Sequence, residues 1–165
     1  MARLSTFGAT AVLAAGLAVS MGSAFAQSAK ELHGSWTAVS NVSTSSDGKK
    51  SEPFGSDPQG LLIFDSAGHY SLQICSAKRA KFAANNRVQG TPEENKAAVA
   101  GCNPHWGRYT VEDGAIVFKI EHAMYPNWEG TEQKRKFSIS GDELKYHVPA
   151  ASTGGTSEVV WKRAK

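Results

Sequence analysis

Short apolar–polar alternations, each broken by a tight glycine-bearing turn, govern what this chain can fold into. Side chains on a strand alternate between faces, so Ala115 to His122 puts Ile116, Phe118 and Ile120 on one side, with His122 in phase, and Lys119 and Glu121 on the other. The same alternation sets Phe137 and Ile139 in phase with Gln133 and Arg135, Leu144, Tyr146 and Val148 against Lys145 and His147, and Tyr109 and Val111 against Arg108 and Thr110. Turns at Ser66-Ala67-Gly68, Asp113-Gly114 and Gly141-Asp142 join three hairpins: Gln59 to Asp65 with His69 to Cys75, His105 to Glu112 with Ala115 to His122, and Thr131 to Ser140 with Glu143 to Val148. Gly34 to Ser43 and Thr156 to Lys162 read as the first and last strands. In His69 to Cys75, Tyr70, Leu72 and Ile74 form one face, while Ser71 and Gln73 equally suit a polar lumen.

One segment reads as helix. Thr91-Pro92-Glu93-Glu94 is a capping box with proline at the first helical position; Asn95 to Ala100 continue it and Gly101 stops it. Eight strands with mostly hairpin links and one helix-bearing insertion at 76–104 predict an all-β fold. A flat eight-stranded sheet exposes two edges, so the strands are expected to close into an antiparallel β-barrel. Such a barrel is just wide enough to be filled by side chains or to hold one small ligand. Its interior is expected to be apolar at one end and to carry His122, Arg135, Gln133, Tyr109 and Tyr146 elsewhere. Those polar groups need partners, in each other, in water or in a ligand.

Residues 1–26 read as a secretory signal peptide: Arg3 as the basic start, an apolar run around Ala9 to Val19, and Ala24-Phe25-Ala26 as the small-residue exit. A retained N-terminal anchor is the alternative. On the signal reading, residues 27–165 are one secreted or periplasmic domain with no membrane span left after cleavage, opening on a short polar leader at 27–33. The 18 basic residues exceed the 15 acidic ones by only three, and they alternate with acids rather than forming a stripe, which argues against a nucleic-acid partner. Cys75 and Cys102 are candidates for a disulfide closing a loop of about 28 residues, worth about 3–4 kcal/mol on the chain-entropy model. The alternative is a buried Cys75 and an incidental thiol at Cys102. Asn41-Val42-Ser43 fits the glycosylation sequon, which matters only for a eukaryotic source. His69, His105 and His122 are widely spaced, no metal-ligand spacing occurs, and no phosphate loop, dinucleotide fingerprint or nucleophile elbow appears, so neither metal nor cofactor is expected.

Gly34-Ser35-Trp36 resembles the G-x-W signature of lipocalins, in which a tryptophan closes the barrel base beneath an arginine near the end of the last strand; Arg163 is placed for that part. A longer pattern resembles the bacterial and fungal lipocalin-like domain family: Pro53-Phe54-Gly55 through Asp57-Pro58-Gln59-Gly60, Gly68-His69-Tyr70-Ser71, Tyr109-Thr110-Val111, His122, Pro126-Asn127-Trp128, Glu129-Gly130-Thr131 and Arg135. The likeness runs from about Leu32 to Lys162 and implies an eight-stranded lipocalin-like β-barrel. It implies no general activity, and the insertion at 76–104 departs from true lipocalins.

The reading that follows is a small exported barrel, monomer or dimer, binding a small, largely apolar and optionally acidic molecule. Its ligand-binding residues are expected to be His122, Arg135, Tyr109, Tyr146, Tyr70, Phe118 and Trp128. Glu121 and Glu129 are candidate internal partners for Arg135. No catalytic residue is assigned. Alternatives are a cofactor-free acid/base isomerase or cyclase with His122 as proton shuttle, and a structural envelope protein with a filled barrel.

Overall fold

Strands β1 (Gly34–Thr44), β3 (Gln59–Phe64), β4 (His69–Cys75), β5 (His105–Glu112), β6 (Ala115–Ala123), β7 (Glu132–Ser140), β8 (Glu143–Val148) and β9 (Thr156–Arg163) run antiparallel in that order, and β9 pairs back onto β1 along Trp36 to Thr44. This computed structural model describes residues 28–165; the leader expected at 1–26 lies outside the described residues. Closure removes both edges that an open sheet would expose. A ninth strand, β2 (Lys50–Ser51), not read from the sequence, pairs with the far end of β1 at Ser43 and Thr44.

The two ends of the barrel are built differently. At one end the turns are tight: 65–68, 113–114 and 141–142. Asp113 (φ 49°) and Gly114 (φ 70°) both lie in the left-handed region, the backbone that lets a two-residue turn follow the strand twist. At the other end the links are long: 45–58, 76–104, 124–131 and 149–155.

The tight-turn end is solid. Residues 27–33, read as a polar leader, include a one-turn helix, α1 (Ala29–Leu32), whose fully buried Leu32 plugs the base. The Trp36 indole N–H donates to the Leu32 carbonyl at 2.8 Å. Arg163 lies over the Trp36 ring at 4.1 Å and donates to the carbonyls of His33 and Glu31 at 2.9 Å each, as the lipocalin resemblance implies. Above this floor Leu62, Phe64, Tyr109, Ile116, Phe118, Leu144 and Trp161 fill the lumen.

Strand phase follows the sequence alternation with one exception. Tyr70, Leu72 and Ile74 point inward, as do Leu144 and Tyr146, and Gln73 points out. In β6 a bulge breaks the phase: Gly107 pairs with Ile120 but Trp106 pairs with His122, so Glu121 is the extra residue and everything after it turns over. Gly107 makes room for this, because a Cβ there would collide with the Lys119 carbonyl oxygen. His122 therefore stands outside the barrel, correcting its expected inward position.

The helix at 92–100 forms as the capping box dictates. In α2 (Pro92–Ala100) the Thr91 hydroxyl accepts from the Glu94 amide, and the Glu94 carboxylate accepts from the Thr91 amide at 2.9 Å. The helix buries no residue of its own and rides on the long-loop end. A disulfide between Cys75 and Cys102 ties the end of the insertion to the end of β4.

Candidate functional site

The long loops surround a cavity of about 280 Å³ in the upper half of the barrel. Pro53 and Phe54 come from the β2–β3 loop, Val99, Ala100, Cys102 and Asn103 from the insertion, Met124, Tyr125 and Trp128 from the β6–β7 loop, and Ala151 to Thr153 from the β8–β9 loop. The strands contribute Asn41, Leu72, Ile74, His105, Arg135, Tyr146, Val148 and Val159. Its size falls just under the roughly 300–1,000 Å³ usual for small-molecule pockets, so it suits one small guest.

Arg135 is the deepest charge. It is 3% exposed, because inward-facing β7 positions alternate through Gln133, Arg135, Phe137 and Ile139. Its Nη1 donates to the Tyr146 hydroxyl at 3.2 Å and its Nη2 to Gln133 Oε1 at 2.6 Å. The guanidinium carbon lies 4.6 Å from the Phe118 ring centre and 5.1 Å from that of Tyr146, so two aromatic faces help hold the cation. No carboxylate of the described residues lies in ion-pair contact with it. Glu121 and Glu129, its candidate partners, are outside and engaged elsewhere, with Arg108 at 3.5 Å and His122 at 3.4 Å. The Arg135 Nε–H is buried with no protein acceptor.

His105 is the second polar group, and the sequence reading overlooked it as a site residue. It is 2% exposed, its Nδ1 is 2.8 Å from the Tyr70 hydroxyl, and Trp128 meets its ring edge-on at 5.6 Å. Burial first, and then the nearby Arg135 charge, hold its pKa well below the usual histidine range, so the imidazole is neutral. Burial pushes the phenols of Tyr70 and Tyr146 up, so both keep their protons. Nδ1 is the only acceptor within hydrogen-bond reach of the Tyr70 O–H among the described residues. His105 Nε2 is buried without a protein partner, and the direction of the Tyr70–Nδ1 bond sets its role: with the Tyr70 O–H donating to Nδ1, Nε2 carries the proton.

The expected ligand-binding set is thus divided. Arg135, Tyr146 and Trp128 line the cavity. Tyr70 lies behind His105, and Phe118 lies beneath Arg135, its ring 4.7 Å from that of Tyr70. Tyr109 belongs to the base, where its hydroxyl donates to the Asp65 carbonyl at 3.0 Å and its ring packs on Phe64. His122, its side chain 63% exposed, packs at a tilt against Trp106 outside and pairs with Glu129. The proton-shuttle role considered for it has no place in this cavity. Asn41 is 9% exposed on the cavity wall and Ser43 bonds Ser157 at 2.7 Å, so the sequon asparagine points into the barrel instead of offering a surface acceptor.

Sequence alone had a signal for His105: it lies in phase with Gly107, Tyr109 and Val111 on β5. Among the described residues no cluster of three or more histidine, cysteine or acidic side chains is arranged to hold a metal ion, and no helix is long and apolar enough to cross a membrane.

A family model described as a lipocalin-like domain matches residues 33–164. A protein of Aspergillus oryzae, named as a carrier of 4'-hydroxy-3'-methoxypropiophenone, is 36% identical over 66 residues, a match covering 35% of this chain and 60% of the relative. The chain therefore spans less than two thirds of that relative's length. Among solved structures, a lipocalin-like protein from Bacteroides uniformis aligns over 81% of this chain and 99% of its own, at TM-score 0.45 and 13% identity. A redesigned β-barrel aligns over 86% of this chain and 98% of its own, at TM-score 0.45 and 14% identity.

Proposed function

The chain belongs to the lipocalin-like domain family, and from that premise we propose that it is an exported binding protein that carries one small, largely apolar molecule in the upper half of its barrel. The observation that carries this reading is the cavity itself: an apolar wall of Phe54, Leu72, Ile74, Trp128, Val148 and Val159, interrupted by a few buried polar groups. A barrel built only as a structural element would pack this half as it packs the half around Trp36, Phe64 and Trp161. The carrier named in Aspergillus oryzae supports the same class of function, and its stated cargo is an aromatic ketone bearing hydroxyl and methoxy groups. Export rests on the leader at 1–26.

Native mass spectrometry of the protein recovered from its producing cells tests the first part. The expected result is a bound mass of one small molecule per chain, and saturable binding of the neutral probe 2-acetylnaphthalene by the emptied protein. Val148→Trp, which fills the cavity from its wall, should remove that binding while thermal unfolding shows the fold retained. A protein that binds no probe, or binds it equally well with Trp at 148, contradicts the reading. The export part predicts a mature chain beginning at Gln27 outside the cytoplasm, read by N-terminal mass analysis.

A further inference from the structure

We propose that the polar end of this cavity is built for an anionic oxygen, so that the carried molecule is an aryl or similarly flat organic acid seated with its charged oxygen against Arg135 and His105. This rests on the binding function proposed above and specifies its ligand class.

Arg135 is a full positive charge enclosed in the barrel without a carboxylate partner among the described residues. An enclosed cation ordinarily has a counter-charge, because removing it from water without one is costly. Here hydrogen bonds to Gln133 and Tyr146 and the ring faces of Phe118 and Tyr146 hold it in place, but none of them neutralises it. The fold has already desolvated and fixed this guanidinium, so an arriving anion meets a donor that needs no further ordering.

Three buried side-chain atoms on residues of this cavity have no protein partner: Asn41 Oδ1, an acceptor, and a nitrogen each on Arg135 and His105. The Arg135 Nε–H is a buried donor without a protein acceptor, and His105 Nε2 is buried without a protein partner, on two residues that line the same cavity. With the Tyr70 O–H donating to its Nδ1, the neutral His105 presents Nε2–H as a second donor. The positive charge of Arg135 with its free N–H, joined by His105 Nε2–H in that tautomer, favours an oxygen with charge and several lone pairs, such as a carboxylate or phenolate, over an amide or a cation, while Asn41 Oδ1 is the acceptor of the set. The rest of the lining is largely apolar and includes two aromatic rings, Phe54 and Trp128, the latter edge-on against His105.

The test is a pair of probes of one shape: 2-naphthoate and 2-naphthamide, titrated calorimetrically into the purified full chain at pH 7. The naphthoate is expected to bind about 10-fold or more tightly than the amide, the increment of a charge-assisted hydrogen bond. Arg135→Met should erase that preference, lowering the affinity of the naphthoate by about 10-fold or more beyond any loss it causes for the amide. Arg135→Gln serves as the second variant if circular dichroism shows the methionine form unfolded, and the wild-type ratio decides by itself if neither variant folds. Equal binding of the two probes, or a preference that survives loss of the guanidinium, overturns the anion assignment and leaves the binding function standing. If neither these probes nor 2-acetylnaphthalene binds, both fall together.

Discussion

The guanidinium of Arg135 lies 4.6 Å over the ring of Phe118, and that contact marks the boundary between two halves of one barrel. Below it, apolar rings fill the lumen down to Trp36; above it, the long loops enclose a cavity lined by polar groups set among apolar side chains. Length of connection decides which half is which. Turns of two to four residues bring their strands together at the base, where Leu32 and Trp36 close it. The insertion at 76–104, tied to β4 through Cys75 and Cys102, rides on the opposite end and contributes Val99 and Ala100 to the cavity wall.

Closure of the base should matter for stability and not for binding. Arg163 stacks on Trp36 and donates to two carbonyls of the 28–33 segment. Arg163→Ala is expected to lower stability by about 2–3 kcal/mol in urea unfolding. Affinity for 2-acetylnaphthalene should stay within about 3-fold. A large loss of affinity with unchanged stability would show that the base and the cavity are not separate.

His105 predicts a specific acid sensitivity. Its folded-state pKa lies well below the usual value, while the unfolded chain takes up the proton near pH 6.5. Below that pH the unfolded state binds the additional proton, so stability falls as pH falls, at up to about 1.4 kcal/mol per pH unit. The carboxylates of Asp47, Asp65 and Glu94, held low by hydrogen bonds, act only at lower pH, through their own range near 4. Urea midpoints between pH 6.5 and 5 should therefore drop in the wild type and flatten in His105→Gln. An equal slope in both would assign the effect to other groups.

His122→Gln should leave probe binding within about 2-fold and stability within about 0.5 kcal/mol, since the side chain is exposed and its pairing with Glu129 is a surface contact. A loss of binding beyond 10-fold would return His122 to the site.

That contrast between two histidines shows where the sequence was legible. Strand alternation located β1 and β3 to β9, the three tight hairpins and the helix at 92–100, because turn residues and capping boxes act locally. It also placed Arg135 and Tyr146 inside. It misplaced His122 because alternation assumes an unbroken ladder, and one extra residue in β6 reverses every side chain after it. Gly107 was the available warning: a glycine within a strand marks a close backbone approach, here the Lys119 carbonyl. The division of the barrel into a solid half and a hollow half was not legible, because it depends on how far four separate long loops stand from the axis. The strand β2 escaped because its two residues, both exposed, carry no alternation.

The most direct test of the account is methyl NMR of the isoleucine, leucine and valine side chains during titration with 2-acetylnaphthalene. Shifts are expected at Leu72, Ile74, Val99, Val148 and Val159 around the cavity, and none at Leu32, Ile116 or Leu144 in the packed base. Shifts confined to the outer face at Val39, Leu61 and Ile63, with the cavity methyls unmoved, would contradict it.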